Sequence, residues 1–244
     1  MDSLSTSAAS GMRARMESLE MLANNLANVE TGGFKADREF FSIYTGDDAT
    51  DDPQTGDIPT LPVVESHWTD LSQGTLINTA NALDFAIDGD GLFGIETKSG
   101  TRYTRNGNFR IGANGVLTAA DGSTVRAVGG GAIALQPELP VEVLPDGTVQ
   151  QGGQAVGQLE ISAFDRSSMD KQGANYFIPL DGAKARQAAG AVMQGKLEQS
   201  NVGAAESSVR LVAIMRQFEM LQKAMNIGNE LNRKAIEEVA KVTS

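Results

Sequence analysis

The only histidine of this 244-residue chain, His67, is the first candidate for acid–base chemistry, with Glu65 and Asp70 close by in sequence. A lone histidine beside Trp68 is far more often structural or exposed than catalytic. A Ser–His–Asp triad needs partners that local spacing does not position, and no Gly-x-Ser-x-Gly elbow is present. Asp88-Gly89-Asp90-Gly91 looks like the start of a calcium loop. The EF-hand spacing then requires a ligand at its fifth position and Glu at its twelfth, where Leu92 and Ser99 stand, so the segment reads as a turn. Gly129-Gly130-Gly131 lacks the Gly-Lys-Ser/Thr ending of a phosphate loop. Arg102, Arg105 and Arg110 read as salt-bridging or subunit-contact residues rather than as a ligand patch. With no cysteine there is no disulfide, no Cys-ligated zinc and no thiol catalysis. The expectation is no catalytic residue, no metal, no cofactor and no small-molecule substrate.

The bulk composition narrows the class further. A formal net charge of −11 repels phosphate backbones, so no nucleic-acid partner is expected. From Phe41 to Ala80 stand Asp47, Asp48, Asp51, Asp52, Asp57, Glu65 and Asp70 with no Lys or Arg, the pattern of a solvated loop. Aromatics are only 5% while Gly reaches 27 residues, which favours short strands and many turns. Met1–Ser10 has neither a basic n-region nor an apolar h-region, so export without a cleaved signal peptide is expected if the chain leaves the cytosol.

Three kinds of element must carry whatever the chain does. Residues 4–28 read as one helix with a narrow apolar stripe of Met12, Met16, Leu19, Leu22, Ala23 and Leu26, stopped by Thr31-Gly32-Gly33. From 74 to 193, short apolar runs such as Phe85–Ile87, Leu92–Ile95, Asn108–Ile111, Val141–Leu144 and Leu159–Ile161 alternate with turn pairs. Those pairs are Asp88-Gly89, Asp90-Gly91, Asn106-Gly107, Asn114-Gly115, Asp121-Gly122 and Asp146-Gly147, which predict an antiparallel β domain. Leu211, Ile214, Phe218, Leu221 and Met225 then hold a heptad seam, resumed at Ala235, Val239 and Val242 with Gly228 and Asn232 between. Glu206 and Lys241 sit at the ends the helix macrodipole prefers.

The fold expected is α+β: long N- and C-terminal helices pairing as a coiled coil around a central, mainly antiparallel β domain. The divisions are 1–30 for the first helix, 31–73 for an acidic extended connector or arm, 74–195 for the β domain, and 196–244 for the second helix. A seam this narrow needs a partner helix. The other terminus, the same helix of a neighbouring copy, or both would serve, and an intramolecular two-helix stalk is equally compatible.

Leu22-Ala-Asn-Asn-Leu-Ala-Asn-Val-Glu-Thr-Gly-Gly-Phe-Lys35 closely resembles the N-terminal motif of flagellar basal-body rod, hook and hook–filament junction proteins. Ala23 to Asn28, Thr31, Gly33, Phe34 and Lys35 match its pattern. Leu83 to Phe93, Tyr103 to Phe109 and Ala120-Asp121-Gly122 resemble that family's β domain, and Leu197-Glu-Gln-Ser-Asn-Val202 the segment before its C-terminal helix. The resemblance implies a structural subunit of the rod that polymerises with itself and other rod subunits. It implies export through the flagellar type III apparatus and residence in the periplasmic basal body. The opening Met1-Asp-Ser-Leu4 and Ala8 to Arg15 look most like the proximal-rod member, a near relative of the distal-rod protein. The expected assembly interface is Met12, Leu19, Leu22, Asn25, Leu26, Leu211, Ile214, Phe218, Leu221 and Met225. The alternative is a secreted β-rich adhesin or binding module on a helical stalk, for which one Trp and three Tyr make a poor aromatic platform.

Overall fold

The computed structural model describes residues 3–45, 60–165, 168–173 and 175–242. The acids Asp47, Asp48, Asp51, Asp52 and Asp57, like the side chains of the resumed seam at Ala235, Val239 and Val242, lie outside the described part. Helix α1 spans Ser3–Ala27. Strands β1 (Asp37–Thr45) and β2 (Thr60–Thr69) pair as a two-stranded sheet. There follow β3 (Leu76–Asn78), β4 (Phe85–Asp88), β5 (Leu92–Thr97), β6 (Gly100–Thr104), β7 (Phe109–Ile111), β8 (Leu117–Ala119) and β9 (Thr124–Val125). Then come β10 (Val141–Val143), β11 (Thr148–Gln151), β12 (Gln154–Gln158), β13 (Ile161–Ala163) and β14 (Met169–Gln172). β15 (Tyr176–Pro179), β16 (Arg186–Gln187), β17 (Ala191–Gln194) and β18 (Lys196–Glu198) lead into helix α2, Ala204–Val242. The class is α+β, with the described strands of the middle region paired antiparallel. Among the described residues no helix is long and apolar enough to cross a membrane.

The chain divides into two compact units. The first takes Met1–Leu26, Asp37–Trp68 and Ala204–Ser244; the second takes Ala27–Ala36 and Thr69–Gly203. In the first unit, α2 is less exposed at Leu211, Ile214, Phe218, Leu221, Met225 and Gly228 than at the positions between them. That alternation of three- and four-residue steps is the seam spacing read from the sequence. Helix α1 departs from its sequence reading. Its buried line is Gly11, Ala14, Ser18, Leu22 and Asn25, while Met16 is 50% exposed and Ala23 is exposed. The buried line lies roughly 100° around the helix from the centre of the apolar stripe, about one residue's rotation. Three of the five buried positions, Gly11, Ala14 and Ser18, carry small side chains. A Cβ built on Gly11 would sit 3.6 Å from Leu221 Cδ1. Ser18 satisfies its buried hydroxyl within the helix by donating to Ala14 O at 3.0 Å.

In the second unit the largest sheet runs β14-β15-β6-β5-β9-β8-β7, with β13 joining β5 and β16. β10-β11-β12 form a three-stranded sheet, and β17 pairs β4 while β18 pairs β3. Phe85, Phe93 and Phe109 stack tilted and edge-on, 5.8 and 5.3 Å between centroids, among Ile87, Ile95, Leu117, Val125, Ile133, Val149 and Leu159. Burial of each such side chain contributes about 1.5–3 kcal/mol, so this cluster is the main stabilising term of the unit.

Of the six turn pairs, Asn114-Gly115, Asp121-Gly122 and Asp146-Gly147 close the β7–β8, β8–β9 and β10–β11 hairpins. Asp88-Gly89, Asp90-Gly91 and Asn106-Gly107 close none, because the strands they join pair elsewhere. Leu159–Ile161 is not one strand but straddles the break between β12 and β13. Local turn chemistry thus marks where the chain bends, and tertiary pairing decides which strand it meets.

Candidate functional site

His67 is exposed on β2. Among the described residues no group of three or more His, Asp or Glu side chains is placed to hold a metal ion. An open groove of about 530 Å³ is lined by Arg110, Ile111, Asn114, Val116, Thr118 and Thr124. Arg110 is the charged side chain in its lining.

The built polar site lies elsewhere in the second unit, and it is closed. Lys35, Arg105 and Glu198 are 1%, 4% and 0% exposed. Lys35 Nζ donates to Glu198 Oε1 at 2.6 Å and to Ser72 O at 2.6 Å. Gly74 N donates to the same Oε1 at 2.8 Å, and Arg105 Nε donates to Oε2. Glu198 therefore has both carboxylate oxygens engaged, one of them twice. The remaining guanidinium nitrogens donate to backbone carbonyls: Nη1 to Gly91 O, and Nη2 to Ile87 O at 2.7 Å and Gly89 O at 2.6 Å.

Those three carbonyls belong to the Asp88-Gly89-Asp90-Gly91 segment and its approach. The loop does enclose a cation, and the cation is the chain's own guanidinium. Gly89 at φ 106° and Gly91 at φ 142° allow the carbonyls to turn inward. Two cations against one carboxylate leave an excess positive charge, which the carbonyl dipoles of Ser72, Ile87, Gly89 and Gly91 solvate. Burial pulls the Lys35 ammonium below the ordinary lysine range, with Arg105 acting the same way and Glu198 opposing both.

Backbone bonds tie the segments that carry these side chains. Gly33 N donates to Glu198 O at 2.7 Å, and Asn201 N to Phe34 O at 3.3 Å. Asn201 Oδ1 accepts from Ala36 N at 2.8 Å, while its Nδ2 donates to Asp70 O at 2.7 Å. Lys171 Nζ stands 3.8 Å from the centroid of the buried Phe34 ring and donates to Lys35 O at 2.7 Å. The motif residues Gly33, Phe34 and Lys35 are thus occupied inside the unit.

The ten residues expected at the assembly interface divide by environment. Leu22 and Asn25 are buried; Met12, Leu19, Leu26, Leu211, Ile214, Phe218, Leu221 and Met225 are partly exposed. Asn25 is taken up locally, its Nδ2 donating to Asp37 O at 2.8 Å and its Oδ1 accepting from Asp37 N at 3.0 Å. Leu221 meets α1 at Gly11, a position outside the expected set. Helix α2 also carries a second apolar line of Val209, Met220, Ile227 and Leu231, each at least 60% exposed. It lies roughly 140° around the helix from the seam.

Lys35, Arg105 and Glu198 were invisible as a site in the sequence, because nothing local marks a charged residue as buried. Their only signal was membership of the matched motifs.

Three sequence profiles match this chain. They are "Flagella basal body rod protein" over residues 6–35, "Flagellar hook protein FlgE/F/G D1 domain" over 86–152 and "Flagellar basal body rod FlgEFG protein C-terminal" over 193–238. Each contributes one member of the buried cluster: Lys35, Arg105 and Glu198 in that order. The chain is 33% identical over 228 residues to the flagellar basal-body rod protein FlgF of Caulobacter vibrioides, covering 92% of each chain. It is 32% identical over 250 residues to the flagellar basal-body rod protein FlgG of Bacillus subtilis, covering 91% of this chain and 93% of that one. The FlgF protein of Mesorhizobium japonicum is 33% identical over 220 residues, 87% of each chain.

Proposed function

Since this chain belongs to the flagellar basal-body rod protein family, we propose that it polymerises through α1 and α2, with itself and with other rod subunits, to form part of the proximal rod. It is a structural subunit of the bacterial flagellar basal body and not an enzyme. The adhesin alternative falls with family membership.

The observation that carries the assembly reading is the two-faced character of α2. Its heptad line is partly covered, while Val209, Met220, Ile227 and Leu231 stand open to solvent on another face. Large apolar side chains exposed along one helix face, as at Met220, Ile227 and Leu231, favour an interaction surface. Helix α1 presents Met16 in the same way. Full burial of each such side chain contributes about 1.5–3 kcal/mol, so a few per subunit suffice to drive association in a repeating array. In this reading the two helices pair along the seam as a coiled coil, Gly11 against Leu221, and the outer lines meet neighbouring copies. Export through the flagellar type III apparatus and a periplasmic position in the rod follow from the family reading, as does the absence of nucleic-acid and small-molecule partners. The opening Met1-Asp-Ser-Leu4 and Ala8 to Arg15 are what supports the proximal placement.

The test is complementation of a strain lacking the gene with Leu221→Pro. Proline removes a backbone donor and costs about 3 kcal/mol inside a helix, while the second unit keeps its own core. Basal bodies imaged by electron microscopy are expected to show a rod that is missing or cut short, with loss of swimming, and the cut marks the subunit's place along the axis. Normal rods carrying the variant would sink the assembly reading.

A further inference from the structure

Beyond assembly, and independently of it, we propose that Lys35, Glu198 and Arg105 form a latch that makes docking of 31–36 and docking of 196–201 onto the β domain one event. Glu198 is the anion between two buried cations. With 196–201 withdrawn, Lys35 and Arg105 would face each other without the carboxylate that both of them bond, and 31–36 could not stay in place. With 31–36 withdrawn, Glu198 loses the Lys35 ammonium, and its carbonyl loses Gly33 N.

The two segments also bond directly to each other through Gly33, Phe34, Ala36 and Asn201, so neither docks on a surface complete without the other. The segment from Asp70 to Gly74 is held by the same groups. Asp70 N donates to Ala36 O at 2.8 Å, Ser72 O accepts from Lys35, and Gly74 N donates to Glu198.

The latch closes across a sequence separation of 163 residues. A chain that becomes available from its N-terminus therefore cannot seat 31–36 until residue 198 arrives. The chain passes between its two units after residues 26, 36, 68 and 203. The latch joins the segments next to the last three of these crossings.

Hydrogen exchange on the purified full-length subunit tests this, with Lys35→Met as the principal variant. Methionine fills similar space and leaves Glu198 paired with Arg105. The amides to follow are Gly33, which donates to Glu198 O, and Gln199, which donates to Thr75 O rather than to any residue of 31–36. Gly94 and Leu117, bonded within the sheet region, are the internal references.

A latch predicts that protection at Gly33 and Gln199 falls together by roughly 100- to 1,000-fold, the scale of removing one partner of a buried charge pair, with Gly94 and Leu117 unchanged. Glu198→Gln is expected to reproduce the pattern; if that variant does not fold, Lys35→Met decides alone. Loss at Gly33 with native protection at Gln199 would overturn the proposal. So would an equal loss at all four amides, or no loss at any.

Discussion

Arg105→Ala is expected to destabilise the second unit by about 3–5 kcal/mol, the cost of removing one partner from a buried charged network. Its guanidinium binds a carboxylate oxygen and the carbonyls of Ile87, Gly89 and Gly91. Alanine leaves three acceptors without their donor and a cavity too crowded to collapse, since a Cβ on Gly91 would already stand 2.8 Å from Ile161 Cγ2. Glu198 keeps Lys35, so the carboxylate is not stranded, and the carbonyls and the cavity dominate the loss. Scanning calorimetry of the purified subunit should show the second unit melting roughly 6–20 °C lower. Arg105→Lys should recover only part of this, because an ammonium cannot reach a carboxylate and three diverging carbonyls from one point. A shift below about 3 °C for the alanine variant would mean that the network adds little beyond packing.

Gly33→Ala should be nearly as damaging, for a different reason. Gly33 sits at φ 70°, a left-handed conformation that costs an L-residue about 1–2 kcal/mol. A Cβ there would also overlap the backbone joining Arg105 and Asn106, lying 2.7 Å from Asn106 Cα. Backbone within a buried site cannot step aside as a side chain tip can, and forced overpacking adds about 1–3 kcal/mol. The expected total is about 2–5 kcal/mol, with Phe34 and Lys35 pushed from their seats.

Gly122→Ala is the matched control. It shares a positive φ, 87°, but a Cβ there has nothing within 4 Å. It should cost only the backbone term, about 1–2 kcal/mol. Urea denaturation of both variants separates the two contributions. Equal midpoints would show that the close approach at Gly33 relaxes freely and that the turn conformation alone explains the glycine.

What the sequence determined by itself rests on neighbours in the chain. The heptad line of α2 from Leu211 to Gly228 was readable because a helix places residues three and four apart on one face wherever it forms. The hairpins at Asn114-Gly115, Asp121-Gly122 and Asp146-Gly147 were readable because a tight turn depends on the backbone freedom of its own residues.

The buried line of α1 was not, since hydrophobicity ranks Met12 and Met16 above Gly11, Ala14 and Ser18, and only the tertiary contacts bury the smaller residues instead. Nor was the role of Lys35, Arg105 and Glu198. A charged side chain reads as solvated until its partner is in place, and here the partners come from 93 and 163 residues away. The tertiary structure alone decided that site. Its members have no local preference for burial, and only their simultaneous arrival offsets the desolvation each would otherwise suffer.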